Sequence, residues 1–164
     1  MKKTLVVFGS TTGTCEDLAA RIAEKLGAEA INVTDLDSST IAAYDNLILG
    51  TSTWGAGELQ DDWYDGVETL KAAGLSGKTV ALFGCGDSAS YGDTFVGGLA
   101  PLYEATKEAG ATLIGTVPTD GYSYDDSEAV VDGQFVGLPL DEVNEPDLSD
   151  ERIAAWVSAI EPLL

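Results

Sequence analysis

The chain alternates five short apolar runs with helical patterns, an order that few folds accommodate. The runs are rich in aliphatic and β-branched residues and predict strands at residues 4–8, 30–33, 46–50, 79–83 and 112–117. Each run is apolar at successive positions, which is typical of parallel strands buried on both faces. Because parallel strands are joined by right-handed crossovers, the sequence predicts an α/β fold with a doubly wound parallel sheet.

Helical patterns fill the intervals between these strands. Three of them end near a glycine, at residues 15–26, 59–72 and 94–108. Pro101 falls inside the third, where we expect a kink or a later helix start. A last helix is predicted from an N-cap at Ser149, with a buried face formed by Ile153, Trp156, Val157 and Ile160.

One connection is much longer than the others. The 28 residues from 119 to 146 separate the fifth strand from the last helix. Ordinary connections between strands and helices are far shorter, so this segment is predicted to be an insertion with some structure of its own. The 164 residues otherwise predict a single domain, 1–164.

Three loops follow the carboxyl ends of predicted strands, where open parallel sheets bind ligands. The first, at residues 9–16, reads GSTTGTCE and precedes a helix. Backbone N–H groups at a helix N-terminus bind phosphate, and the four hydroxyls of this loop add donors. The loop contains no lysine, so it is not a Walker A loop, and nucleoside triphosphate hydrolysis is not expected. A Ser/Thr-rich turn is the alternative interpretation.

The other two loops each place an aromatic residue at the same predicted edge. Trp54 follows the third strand, and Tyr91 lies in the loop after the fourth. Two such rings can hold a flat ligand ring between them, although each taken singly fits a core position as well. The fourth-strand loop also reads GCGDSA at residues 84–89. No helix is predicted to open directly after it, so it is a poor dinucleotide fingerprint.

Four blocks resemble the flavodoxins, specifically the long-chain group. They are VVFGSTTG at 6–13, TSTWGAGELQDDW at 51–63, GCGDSASYGD at 84–93 and the segment at 119–145. The resemblance implies a five-stranded sheet in the order 2-1-3-4-5 and one non-covalent FMN. It also implies a low-potential one-electron carrier, not an enzyme, that shuttles between semiquinone and hydroquinone.

The same resemblance implies the site residues. Ser10, Thr11, Thr12, Gly13 and Thr14 would hold the phosphate, Trp54 and Tyr91 would sandwich the isoalloxazine ring, and Asp87 with its neighbours would meet the pyrimidine edge. The full set of expected cofactor-binding residues adds Cys15, Ser52, Thr53, Gly55, Ala56, Gly57, Cys85, Gly86 and Asp93.

Cys15 departs from the family pattern, which usually has threonine at this position. A thiol is a weaker donor than a hydroxyl, so backbone contact is expected there more than side-chain contact. A helix N-terminus lowers a thiol pKa, which would make Cys15 reactive without FMN, although inert burial is the favoured expectation. The two cysteines, Cys15 and Cys85, are expected to be free thiols.

Charge restricts the partners of the chain. It has 28 acidic and 8 basic residues, a net charge of −20, and no histidine. This composition excludes histidine-based catalysis and argues against nucleic acid and anionic membranes as partners. Transient complexes of a monomer with basic redox proteins such as NADP reductases are expected, and the absence of a secretory h-region predicts a cytoplasmic location.

Two acidic clusters carry much of this charge. The first comprises Glu58, Asp61, Asp62, Asp65 and Glu68. The second comprises Asp120, Asp125, Asp126, Glu128, Asp132, Asp141, Glu142, Glu145, Asp147, Asp150 and Glu151. Their carboxylates would guide a basic partner to the flavin edge, and a solvated face that keeps the protein in solution is the alternative.

Two alternative functions need residues that this chain lacks. A receiver domain shares the fold class but needs acidic residues after strands one and three and a lysine after strand five, where this chain has Gly9-Ser10, Thr51 and Pro118. A flavin-dependent NAD(P)H:quinone reductase is the remaining alternative. It would need a site for a nicotinamide cofactor, and the chain has no basic cluster to form one.

Overall fold

A computed structural model describes residues 3–10, 13–54, 58–88, 92 and 94–164, with Trp54 and Glu58 described by backbone alone. The strands are β1 (Thr4–Gly9), β2 (Glu29–Asn32), β3 (Asn46–Trp54), β4 (Glu58–Leu59), β5 (Thr79–Cys85), β6 (Thr112–Ile114), β7 (Val117–Pro118), β8 (Val130–Val131), β9 (Gln134–Phe135) and β10 (Leu138–Leu140). The helices are α1 (Thr14–Leu26), α2 (Ser38–Ala42), α3 (Trp63–Ala73), α4 (Leu99–Glu108) and α5 (Pro146–Ile160).

The main sheet is parallel and has the expected order. From one edge it runs β2, β1, β3 and β5, and the last position is shared by β6 and β10. β6 pairs with the first half of β5, and β10 pairs with the second half. Counted as five positions, this is the order 2-1-3-4-5 that the sequence predicts.

The insertion leaves the sheet after β6 and returns to it as β10. Between these strands, β7, β9 and β8 form a small antiparallel sheet of their own. The sequence predicts the insertion but not that its last residues pair with the main sheet. Three residues that look like the end of a loop, Leu138-Pro139-Leu140, lie instead in the main sheet beside Phe83–Cys85.

Successive apolar residues of the central strands enter two cores, one on each face of the sheet. One core, beneath α3 and α4, contains Leu5, Val7, Leu47, Leu49, Val80 and Leu82. The other, beneath α1 and α5, contains Val6, Phe8, Ile48, Ala81 and Phe83. This confirms burial on both faces for the central strands β1, β3 and β5, whereas the edge strands β2 and β6 are only partly buried. The buried face predicted for the last helix is confirmed, because all four of its residues are buried: Ile153, Trp156, Val157 and Ile160. Leu18, Ile22 and Leu26 of α1 are buried as well.

Helix starts differ from the sequence predictions. α3 begins at Trp63 and not at residue 59, because Leu59 pairs with Thr53 as part of β4. α4 begins at Leu99, so Pro101 lies in the first turn, where its missing N–H removes no helical bond. The short helix α2 was not predicted.

The prediction of a Ser149 N-cap is wrong. α5 begins at Pro146, because proline is pre-organised for the first helical position and lacks an N–H that would have no partner there. Ser149 lies inside the helix with a buried hydroxyl that has no hydrogen-bond partner in the described part of the chain. No helix in the described residues is long and apolar enough to cross a membrane.

Candidate flavin site at the carboxyl edge of the sheet

Three loops meet at the carboxyl edge of the sheet because three strands end in register. Gly9 of β1 pairs with Thr51 of β3, and Thr51 pairs with Gly84 of β5. The loops that follow these strands are therefore neighbours. The chain crosses from β1 outward to β2 in one direction and from β3 to β5 in the other, so this edge contains the switch point at which such sheets bind ligands.

The first loop leads into α1 with an open helix N-terminus. Gly13 occupies the N-cap in the left-handed conformation, at φ 90°, and no side chain of a described residue caps it. The Ser10 Oγ accepts the Gly13 N–H at 3.1 Å, and the first helical bond runs from the Asp17 N–H to the Gly13 carbonyl at 3.0 Å. The N–H groups of the first turn are thus left for a ligand.

This arrangement fits a phosphate group. A Cβ added to Gly13 would meet nothing within 4 Å, which leaves open space beside the helix end. The donors are neutral N–H and hydroxyl groups, which bind an anion without a lysine or arginine. Thr11 and Thr12 lie outside the described residues, and Thr14 opens the helix with a partly exposed side chain.

The Cys15 side chain points into the core and not toward this open end. It is fully buried, and it lies in the same apolar cluster as Cys85. A hydrogen bond with Cys85 raises the pKa of the Cys15 thiol, and burial raises it further. The favoured expectation of a buried, inert thiol agrees with this. The alternative of a thiol pKa lowered by the helix N-terminus does not, because hydrogen bonding and desolvation raise the pKa. Only the backbone of Cys15 is available to a phosphate.

The second loop is the tip of a hairpin. β3 continues to Trp54 and pairs with β4, with Trp54 opposite Glu58. Gly55, Ala56 and Gly57 form the connection and lie outside the described residues. Trp54 is thus the last strand residue before the tip. Thr53, the residue before it, accepts the Gly98 N–H through its Oγ1 at 3.1 Å, which ties the hairpin to the start of α4. Ser52, partly exposed, lies opposite Cys85 in the register of β3 and β5.

The third loop runs from β5 to α4 without an immediate helix, which agrees with the rejection of a dinucleotide fingerprint. A Cβ on Gly86 would lie 2.8 Å from the Phe95 ring, so glycine is what lets this ring pack against the loop. Asp87 and Ser88 are partly exposed. Tyr91 and Asp93, the other residues expected to contact the cofactor here, lie outside the described residues.

The insertion packs against this third loop. Tyr122, Tyr124 and Phe135 surround the Phe95 ring, with the Tyr124 ring stacked at 5.8 Å. The backbone N–H groups of residues 125 and 126 both donate to the Gly92 carbonyl, at 2.8 and 2.9 Å. The insertion therefore supports the third loop, to which Tyr91 belongs.

Two residues of the site region were not recognised from the sequence. Asp141 was grouped with the surface acids but is completely buried, and Asn144 received no role. Both hydrogen-bond to the third loop, Asp141 to Ser88 and Asn144 to Asp87. The sequence gives no signal for these contacts, because 53 and 57 residues separate the partners.

The acidic clusters divide by their environment. Asp61, Asp65 and Glu68 are exposed on and before α3. In the second cluster, Glu142 pairs with Arg21 at 2.8 Å and Glu145 with Arg152 at 3.2 Å, so their charges are partly compensated. Asp141 is the only member of this cluster that is fully buried, so the surface prediction is wrong for this residue and for no other member. No group of three or more metal-ligating side chains occurs within the described ranges.

Known proteins are similar to this chain in sequence over almost its whole length. Residues 6–156 match the family model described as Flavodoxin. The chain is 43% identical to Flavodoxin 1 of Azotobacter vinelandii, over 98% of this chain and 97% of that protein. It is 41% identical to Flavodoxin 1 of Escherichia coli K12, over 98% and 93%.

A solved structure gives the same result in three dimensions. The crystal structure of Fusobacterium nucleatum flavodoxin bound to flavin mononucleotide superposes with a TM-score of 0.93 at 30% identity, covering 100% of this chain and 99% of that one. The two structures therefore agree over nearly the whole length of both chains. This chain belongs to the flavodoxin family.

Proposed function

We propose that this chain is an electron carrier that binds FMN non-covalently and passes single electrons between redox proteins, and that it is not an enzyme. The observation that carries the proposal is the open N-terminus of α1, lined by neutral donors and placed in register with two further loops. The solved Fusobacterium relative holds flavin mononucleotide, which has one terminal phosphate and one flat ring system.

In this proposal the first loop holds the phosphate. The hydroxyls of Ser10, Thr11, Thr12 and Thr14 would donate to its oxygens, together with the N–H groups from Gly13 to Cys15. The Ser10 Oγ already accepts the Gly13 N–H, and its own proton is left to donate to the ligand. Because the loop itself contains no Lys or Arg to neutralise the phosphate, the phosphate charge would also disfavour adding negative charge to the ring.

The second and third loops would hold the ring. Trp54 and Tyr91 would stack on its two faces, and Ser52, Thr53 and residues 55–57 would line the side formed by the hairpin. Gly86, Asp87 and Asp93 would meet the pyrimidine edge, and Cys85 would contribute only its backbone, because its side chain is buried beside Cys15. When bound, the flavin supplies the electron-accepting and electron-donating group. The chain's own residues orient the ring, exclude water from it and surround it with negative charge.

The test is flavin binding by the purified apoprotein. FMN should bind tightly and give a yellow complex. Riboflavin should bind about 100-fold more weakly, because two charge-assisted hydrogen bonds to phosphate at about 1.5 kcal/mol each account for that factor. FAD should not compete with FMN, since its phosphates are not terminal. Equal affinity for riboflavin and FMN would contradict the phosphate assignment.

The proposed partners are basic redox proteins that bind transiently to a monomer in the cytoplasm. Exposed carboxylates of Asp61, Asp65 and Glu68 support this, because they carry no ion-pair partner within the described residues. An acidic surface attracts a basic rim and raises the association rate at low salt. It also disfavours nucleic acid as a partner.

Charge reversal tests the partner surface. Asp61→Lys/Asp65→Lys/Glu68→Lys should slow electron transfer with a basic reductase at low ionic strength and flatten its salt dependence. The matched control reverses Glu24, Glu104 and Glu161, three exposed acids on other elements, and changes the net charge equally. Equal rates in the two triple variants would assign the α3 acids to solubility alone.

The quinone reductase alternative is separated by one measurement. An NAD(P)H:quinone reductase would bleach its own flavin on mixing with NADPH, whereas a carrier needs a separate reductase. The described residues offer no basic cluster to receive a nicotinamide nucleotide, and the basic side chains Arg21 and Arg152 are paired with acids.

A further inference from the structure

Asp141 is a buried carboxylate at the edge where the flavin is proposed to bind. It directly follows β10, whose last residue, Leu140, pairs with Cys85 at the end of β5. Its exposed fraction is 0%. An acid is almost never fully buried unless its oxygens are satisfied, so the contacts of this carboxylate indicate what it holds in place.

The carboxylate accepts hydrogen bonds from several donors among the described residues. Oδ2 accepts the Ser88 N–H at 3.0 Å and the Ser88 hydroxyl at 2.6 Å. Oδ1 accepts the N–H groups of Val143 at 3.1 Å and Asn144 at 2.9 Å. The Asn144 amide also donates to both oxygens, at 3.2 and 3.0 Å. One oxygen therefore anchors the third loop, and the other anchors the turn that leads toward α5.

Asn144 holds Asp87, the residue that precedes Ser88 in the same loop. Its Nδ2 donates to the Asp87 Oδ1 at 2.7 Å. Asp87 and Ser88 are thus both fixed from residues 141–144. Gly86 is fixed at the same point, because its N–H donates to the Leu140 carbonyl at 2.9 Å. Three consecutive residues of the third loop have partners on this short segment.

The chemistry of the contacts requires a carboxylate. Burial raises the pKa of Asp141, but the hydrogen bonds from Ser88 and Asn144 outweigh it and hold the pKa below its ordinary value. The group is therefore ionised at neutral pH. An amide in its place would direct an NH₂ group at either the Ser88 donors or the turn N–H groups, and one of the two anchors would be lost.

We infer that Asp141 is a positioning residue that, with Asn144, fixes the conformation of residues 86–88 against the flavin ring and thereby sets the affinity for the ring. Asp141 is too deeply buried to contact the ligand itself and acts through Ser88 and Asn144. The inference rests on the proposed function, because it takes the third loop as the part of the site that meets the pyrimidine edge.

The test compares two flavins on two variants. Asp141→Asn should raise the Kd for FMN and for riboflavin by the same factor, about tenfold for one lost charged hydrogen bond, and leave their ratio unchanged. The absorption band of the bound flavin should shift as well. Asp37→Asn is the matched control. It also removes a carboxylate that accepts a backbone N–H, from Thr40 at 2.7 Å, but Asp37 caps α2 on the connection between β2 and β3. It should bind both flavins as the wild type does.

The outcomes separate the inference from the proposed function. A wild-type apoprotein that binds no flavin overturns both. Suppose that the wild type binds FMN, and that the Asp141→Asn variant is less stable but has unchanged Kd values. This result overturns the inference alone, since it is what a purely structural role predicts. If Asp141→Asn does not fold, Asn144→Ala decides, because this exposed side chain holds Asp87 without anchoring Ser88. A raised Kd for both flavins then supports the inference, and wild-type values overturn it.

Discussion

Replacing Trp63 by Phe should destabilise the protein through one hydrogen bond and the packing around it. The indole is fully buried, and its Nε1 donates to the Gly50 carbonyl of β3 at 2.7 Å. Its ring also lies against Gly9, where an added Cβ would be 2.5 Å from the indole Cδ1. Trp63 thus contacts the last residue of β1 and the middle of β3.

The magnitude follows from what phenylalanine lacks. The hydrogen bond contributes about 1 kcal/mol net. Two ring carbons fewer remove about 0.8 kcal/mol each of apolar burial. The expected loss is about 2.6 kcal/mol in the free energy of unfolding, before any relaxation of the neighbours.

Urea unfolding of the apoprotein measures this loss. With a slope of about 2 kcal/mol per M, the midpoint should fall by about 1.3 M. Tyr64→Phe is the matched control, because Tyr64 is the next residue but is 52% exposed, and its midpoint should stay within about 0.3 M of the wild type. A Trp63→Phe midpoint inside that same interval would refute the reasoning.

Three further outcomes are expected. The Asp141 carboxylate should contribute its full stability above the ordinary aspartate pKa of about 3.9, and this contribution should be lost as the pH falls through the lower pKa of the folded state. The difference in urea midpoint between the wild type and Asp141→Asn should therefore narrow from pH 7 to pH 3. Cys15 should react with a thiol reagent only as fast as the protein unfolds, because hydrogen bonding with Cys85 and burial raise its pKa; rapid labelling of the folded apoprotein would contradict this. Gly9→Ala should lower the melting temperature and weaken FMN binding together, since its Cβ would press on Trp63, and calorimetry with and without FMN measures both.

The sheet could be predicted from the sequence because its signal is local. Strands buried on both faces are continuous apolar runs, and an alternation of such runs with helices leaves few topologies. Helix starts were less accurate where local signals compete. Leu59 continues a helical pattern but pairs with Thr53 in a hairpin, and Ser149 resembles an N-cap three residues after a proline that already starts the helix.

The site was predictable in part for a related reason. The open N-terminus of α1 follows from a glycine- and hydroxyl-rich loop between a strand and a helix, which is a contiguous pattern. The burial of Asp141 does not, because an acid among many acids looks like a surface residue until the fold brings Ser88 to it. The contact between Cys15 and Cys85 depends in the same way on the packing of α1 against β5.

The division of the last sheet position has a consequence for how the chain assembles. The first half of β5 can pair with β6 early, but the second half, from Phe83 to Cys85, waits for β10 to return from the insertion. Until then it presents a bare row of backbone donors and acceptors on an apolar strand, which is a template for another molecule's strand. We expect refolding at high protein concentration to lose protein to aggregation through this edge, because docking of β10 competes there with association between chains.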